Sequence, residues 1–195
     1  RKESSAASDV YKRQDTDSFL AVTDFGKDSG DHLKVSDINY TFPVGDWKVT
    51  VGDSLDASKQ FTGACEYGNT VDALSDCGTG NSIAVGGDQT ISAGYDLDNG
   101  FSFGLGISAD DGETTRGMFT AEGEDIYAVN LAYSGDNYAV ALAYADVDVA
   151  TYWGINASYS ADGFPTISGG YEFGSPDSGN DTTQFAVGLS SDLGP

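Results

Sequence analysis

Apolar and small or polar residues alternate along this chain from about Leu33, in segments of about ten residues separated by connections rich in Gly, Asp and Asn. Along Phe101–Ala109, the residues Phe101, Phe103, Leu105, Ile107 and Ala109 share one face, while Ser102, Gly104, Gly106 and Ser108 share the other. A period of two places successive side chains on opposite faces of a β-strand. Tyr127, Val129, Leu131 and Tyr133 oppose Ala128, Asn130, Ala132 and Ser134 in the same way, and Tyr138, Val140, Leu142 and Tyr144 oppose Ala139, Ala141, Ala143 and Ala145. The pattern continues over 151–160, 166–173 and 184–189. It also predicts earlier strands over 18–23, 33–42, 47–52 and 82–95, about ten in all.

The connections alternate in length. Pro43–Asp46, Asp98–Gly100, Gly135–Asn137 and Asp162–Gly163 carry the Asn, Asp and Gly of tight hairpin turns. Longer segments fall at 24–32, 54–81, 110–125 and 175–182, and the short link 146–150 breaks the alternation. Short turns on one rim and long acidic loops on the other describe an up-and-down barrel crossing a membrane. A strand tilted near 45° needs about 9 to 11 residues to cross the hydrocarbon, as found here. The face opposite the apolar one holds Gly, Ala, Ser and Asn, where a soluble strand would show Lys, Glu and Thr. Tyr and Trp near the ends of the apolar faces suit an interfacial girdle. The expected fold is therefore all-β: an antiparallel up-and-down transmembrane β-barrel whose small-residue face lines the lumen. The chain stops at Ser191–Pro195 without a terminal aromatic strand, so an incomplete barrel is expected, about ten strands of a larger one.

Composition supports this class. Among 195 residues there are 26 Gly, 11 Tyr and 10 Phe but a single Met, a profile rich in turns and aromatics and poor in helix formers. The formal charge of -22 argues against nucleic acid as a partner, because affinity for it comes mainly from clustered Lys and Arg. No run of eighteen apolar residues suggests a membrane helix. Residues 1–14 hold four of the nine basic residues (Arg1, Lys2, Lys12, Arg13) and show no period; they read as a non-native, adapter-like segment. The expected division is that segment followed by a partial barrel over 15–195.

Candidate chemistry is sparse, and no enzyme is expected. The single His32 lies in a Gly-Asp loop without a Ser or Cys motif near it. Cys65 and Cys77, twelve residues apart in the longest loop of an exported protein, are expected to form a disulfide rather than a metal site. Asp110, Asp111, Glu113, Glu122, Glu124 and Asp125 form an acidic loop expected at the mouth, where one sign of charge concentrates counter-ions. On the small-residue face the polar positions Asp37, Asn39, Lys48, Asp88, Asn130, Asn156, Glu172 and Gln184 are candidates for pore lining, the alternative being that some point at a plugging loop or a subunit contact. Rings of Asp and Glu favour cations, so a weakly cation-preferring passive channel is expected. Its partners would be outer-membrane lipid, small solutes and inorganic cations, with no cofactor and no bound metal. The competing reading is a secreted acidic β-rich adhesin or surface-layer protein.

Three segments carry a family resemblance: Asp125–Tyr133, the run Gly169-Gly-Tyr-Glu-Phe-Gly174, and Gln184–Leu189. They resemble the barrel of cyanobacterial outer-membrane porins, the iron uptake porins related to carbohydrate-selective porins. The resemblance implies an outer-membrane location and passage of small solutes and inorganic ions, including iron. By analogy with porins it also implies a homo-oligomer, often a trimer. It supplies no residue-level iron site.

Overall fold

The computed structural model describes residues 18–24, 34–65, 76–110, 117–120 and 123–191. His32, Asp111, Glu113, Glu122 and the segment 1–14 lie outside them. Ten strands run in chain order: β1 (Ser18–Asp24), β2 (Lys34–Val44), β3 (Trp47–Asp53), β4 (Gln89–Asp96), β5 (Phe101–Asp110), β6 (Glu124–Ser134), β7 (Tyr138–Asp146), β8 (Ala150–Tyr159), β9 (Thr166–Pro176) and β10 (Thr182–Ser190). Each pairs antiparallel with the next to give one sheet in the order β1 to β10. Among the described residues the sheet is open, with β1 and β10 at its edges. This is the wall of an up-and-down transmembrane β-barrel.

Local chemistry sets the turns. Gly45, Gly100 and Gly163 adopt φ of 63°, 87° and 78° in three of the short connections, a region in which a Cβ is strained. Register then carries the alternation across the sheet. Leu105 pairs with Val129 and Val129 with Tyr144, while Gly104 pairs with Asn130 and Asn130 with Ala143, so each face stays uniform from strand to strand.

The two faces are buried to opposite extents. Ile91, Leu105, Val129, Leu131, Leu142, Ile155 and Tyr171 are exposed, Leu131 by 48%, whereas Ser92, Ser108, Ala128, Asn130, Ala141, Ala143 and Asn156 are buried. A soluble sandwich would turn its large apolar residues inward to a dry core. A continuous exposed apolar surface is what a bilayer covers. Aromatic pairs mark its ends. Near the tight turns Trp47 lies 5.3 Å from Tyr95, Phe101 4.8 Å from Tyr133, and Tyr133 5.4 Å from Tyr138, centroid to centroid. Toward the other rim Tyr144 lies 4.7 Å from Trp153.

The main departure from the sequence reading lies between β3 and β4. Residues 82–88 were expected to begin a strand, but Gly80–Ile83 form one helical turn (α1) and β4 starts at Gln89. The alternation there is accidental. Ile83 and Val85 are buried not by sheet pairing but against the alanines of the inner wall, Ala132, Ala141 and Ala143 for Ile83, Ala128 and Ala145 for Val85.

Candidate functional site: a segment folded against the inner wall

The described parts of the β3–β4 connection lie on the inner face of the sheet as two arms. The outgoing arm, 54–65, leaves β3 through Ser54, whose φ of 55° turns the chain away from the strand direction. It then runs across the wall from β4 toward β8. Ser92 Oγ donates to Ala57 O (2.9 Å), Gln60 Nε2 donates to Thr50 Oγ1 (2.7 Å), and Gln60 N donates to Ser92 Oγ (3.1 Å). Farther along, Thr62 N donates to Asn130 Oδ1 and Ala64 N to Asn156 Oδ1, each at 2.9 Å. These wall side chains satisfy backbone donors of an irregular segment that has no ladder of its own.

The returning arm, 76–88, begins with a disulfide between Cys65 and Cys77, whose Cα atoms are 6.0 Å apart, and so is tied to the outgoing arm. Cys77 and Gly78 follow one another at φ of 52° and 73°, reversing the chain beside β10. A Cβ on Gly78 would lie 3.1 Å from the backbone of Phe185. Thr79 Oγ1 then accepts from Asn156 Nδ2 (3.1 Å). Glu172 on β9, only 1% exposed, accepts from Asn81 Nδ2 (2.8 Å), Ser82 N (2.9 Å), Ser82 Oγ (2.7 Å) and Gln184 Nε2 (2.5 Å). Hydrogen bonds to a charged group contribute about 1.5–3 kcal/mol each, so this carboxylate is a strong point of attachment.

The small residues of the inner face now have a physical reason. A Cβ on Gly106 would lie 1.9 Å from the Ala57 carbonyl oxygen, and one on Gly170 2.5 Å from that of Cys77. The wall is smooth because backbone packs on it, not because water fills the space above it.

Several sequence expectations change accordingly. Asn39, Asn130, Asn156 and Glu172 were candidates for pore lining, with a plugging loop as the alternative; all four are buried, and the last three hold the inward segment. Asp37 is near Asn39, whose Nδ2 donates to Asp37 Oδ1 at 2.7 Å. Lys48 and Gln184 are exposed and Asp88 half-buried, its N–H donating to Ser108 Oγ at 2.8 Å. In the acidic loop, Asp110 pairs with Glu124 across β5 and β6, and the Asp125 carboxylate accepts from Phe119 N (3.1 Å) and Tyr127 Oη (3.0 Å).

Residues that strand periodicity passed over also meet between the two arms. Asp56, Lys59, Phe61 and Asp76 line a cavity of about 310 Å³ between the two arms. Partial burial pushes the Asp56 carboxyl above its usual range; Lys59 pulls it down, and Asp37 and Asp76 push it up again. Three acids and one lysine therefore share one electrostatic environment, part on β2 and part on the inward segment. Asp56, Lys59 and Asp76 had no sequence signal beyond membership of the longest connection, whereas Asp37 was a pore-lining candidate from the start.

An antiparallel wall with an apolar outer surface, aromatic rims and a chain segment laid inside defines an outer-membrane channel protein of the porin class. Comparison with known proteins agrees. Residues 25–195 match the family model of the Gram-negative porins, and the chain belongs to that family. Among solved structures it is similar to a mutant of the Rh. blastica porin, with 11% identity and a TM-score of 0.51, over 89% of this chain and 73% of that one. No curated protein sequence matches it. The location that follows is the bacterial outer membrane.

Proposed function

We propose that the protein is a passive diffusion channel for small hydrophilic solutes and inorganic ions, that it prefers cations, and that the segment between β3 and β4 narrows its lumen. The observation that carries the reading is the attachment of that segment to the inner wall, on the face opposite the exposed apolar surface. Asp37, Asp56 and Asp76 outnumber Lys59 beside the cavity between the arms, so cations are concentrated there and anions repelled. Asp37, Lys48 and Gln184 on the wall and Asp88 at the end of the returning arm are partly or fully accessible for contact with passing ions. The net charge of -22 acts in the same sense over longer distances. Inorganic iron would cross as one such cation, and assembly into a homo-oligomer follows the analogy with trimeric porins.

The test is planar-bilayer conductance of the full-length protein refolded in detergent, under a potassium chloride gradient. Stepwise conductance with a cation-side reversal potential is expected. An anion-side reversal potential would overturn the preference, and no conductance from protein shown to be folded would overturn the channel.

A further inference from the structure

We infer that Glu172 is a positioning residue for permeation: it clasps the returning arm of the inward segment to β9 and so sets the width of the channel and the place of its charged groups. The inference rests on the porin reading above. The two arms are held unequally. The outgoing arm meets the wall through a series of bonds spread over β3, β4, β6 and β8, at Thr50, Ser92, Asn130 and Asn156. The returning arm meets it through Thr79 on Asn156, then through the Glu172 cluster, where Asn81 and Ser82 of α1 both bind one side chain, and at its far end through Asp88 N on Ser108 Oγ. Loss of a single outgoing contact leaves its neighbours in place. Loss of Glu172 removes three of the returning arm's bonds together.

The chemistry of the cluster explains why a carboxylate stands there. Donors from Asn81, Ser82 N, Ser82 Oγ and Gln184 converge on two oxygens, and an ionised carboxylate accepts all of them without offering a hydrogen of its own. The four donors are neutral, so the charge is stabilised by dipoles alone, a costly arrangement that persists only where every lone pair is used. Gly154 leaves the space into which Ser82 fits: a Cβ there would lie 2.0 Å from Ser82 Oγ. Wall and arm are therefore shaped for one docked position. When the clasp opens, Asp76, Ile83 and Ala84, the returning arm's share of the lining of the 310 Å³ cavity, move with the arm.

Single-channel recording on the full-length protein tests this with two substitutions at one position. Glu172→Leu keeps the volume and removes every acceptor. Glu172→Gln keeps an oxygen for Ser82, while the amides of Asn81 and Gln184 can turn to accept from its nitrogen. With Glu172→Leu the conductance and open-channel noise are expected to rise and the reversal potential to move toward zero. With Glu172→Gln all three stay near the wild-type values. Heat-modifiable migration on a gel reports that each barrel is folded. If Glu172→Leu does not fold, the double variant Asn81→Ala with Ser82→Gly, which weakens the same clasp from the arm and leaves the wall intact, is expected to raise conductance and noise likewise. Wild-type conductance, noise and reversal potential in the folded disruptive variant would overturn the clasp alone. Equal changes in Glu172→Leu and Glu172→Gln would overturn it too, by assigning the effect to the charge. A folded wild-type protein that does not conduct would overturn the porin reading as well.

Discussion

The outer and inner faces of β4 to β9 are made by the same residues' alternation, yet they obey different rules. On the outer face Leu105 pairs with Val129, and Leu142 with Leu131 and Ile155, through the strand register, and all lie exposed, so any apolar side chain of similar size serves there. The inner face is specified atom by atom. Asn130 and Asn156 must present an oxygen to particular backbone N–H groups, and Gly106 and Gly170 must present nothing at all. Lipid is a fluid that adapts to a surface; a folded segment is a fixed partner that does not. Tolerance and specificity thus alternate residue by residue along one strand.

The strongest way to break this contrast is to place a charge where lipid is expected. Val129→Lys, at an exposed position in the middle of β6, should cost about 2–4 kcal/mol of folding stability in vesicles, read from urea titration. A cost near zero would mean that this face does not meet hydrocarbon. Next in size, Gly106→Ala puts a methyl group within 1.9 Å of the Ala57 carbonyl and should cost about 1–3 kcal/mol by overpacking, with altered conductance as the arm shifts. The adjacent outer substitution Leu105→Ile is its control and should leave conductance unchanged. Asn130→Ala leaves Thr62 N without its acceptor and should cost about 1–2 kcal/mol, detected by the same titration.

The smallest effect sharpens the comparison electrostatically. Burial first, and then Asp37 and Asp76, raise the Asp56 carboxyl against the pull of Lys59, so it takes up a proton at higher pH than an ordinary aspartate. Because the folded-state value is raised, the protonated form is the favoured one. Its stabilising contribution is complete below the ordinary aspartate pKa and is lost as pH rises through the raised value. Cation selectivity should therefore begin to fall on acidification before ordinary carboxylates titrate. Asp56→Asn should remove that part of the pH profile without loss of stability. A profile identical in the two proteins would take Asp56 out of the permeation path.

How much of this was legible beforehand follows from the range of the signals. Strand positions, tight turns and the outward direction of Phe101, Leu105, Tyr127 and Trp153 were readable, because each depends on neighbours within a few residues. The small inner face was readable as a face but not in its purpose. Gly, Ala and Ser look the same whether water or backbone lies above them. Residues 82–88 were misread for a related reason: Ile83 and Val85 alternate with small residues as a strand would, and only the wall they pack against tells the two apart.

The sequence by itself therefore determined the class of fold, the alternation of the two faces, the aromatic rims and the pairing of Cys65 with Cys77 as the expected bridge. Those are local patterns or follow from composition and exported context. Tertiary structure alone decided that residues 54–65 and 76–88 lie inside the wall, that Asn130, Asn156 and Glu172 hold them instead of lining open water, and that Asp37, Asp56 and Asp76 come together around Lys59. Contacts such as Glu172 to Ser82 join positions 90 residues apart, and no periodicity encodes them. They exist because a chain leaving β3 finds on the inner face a surface small enough to approach and polar enough to satisfy its backbone.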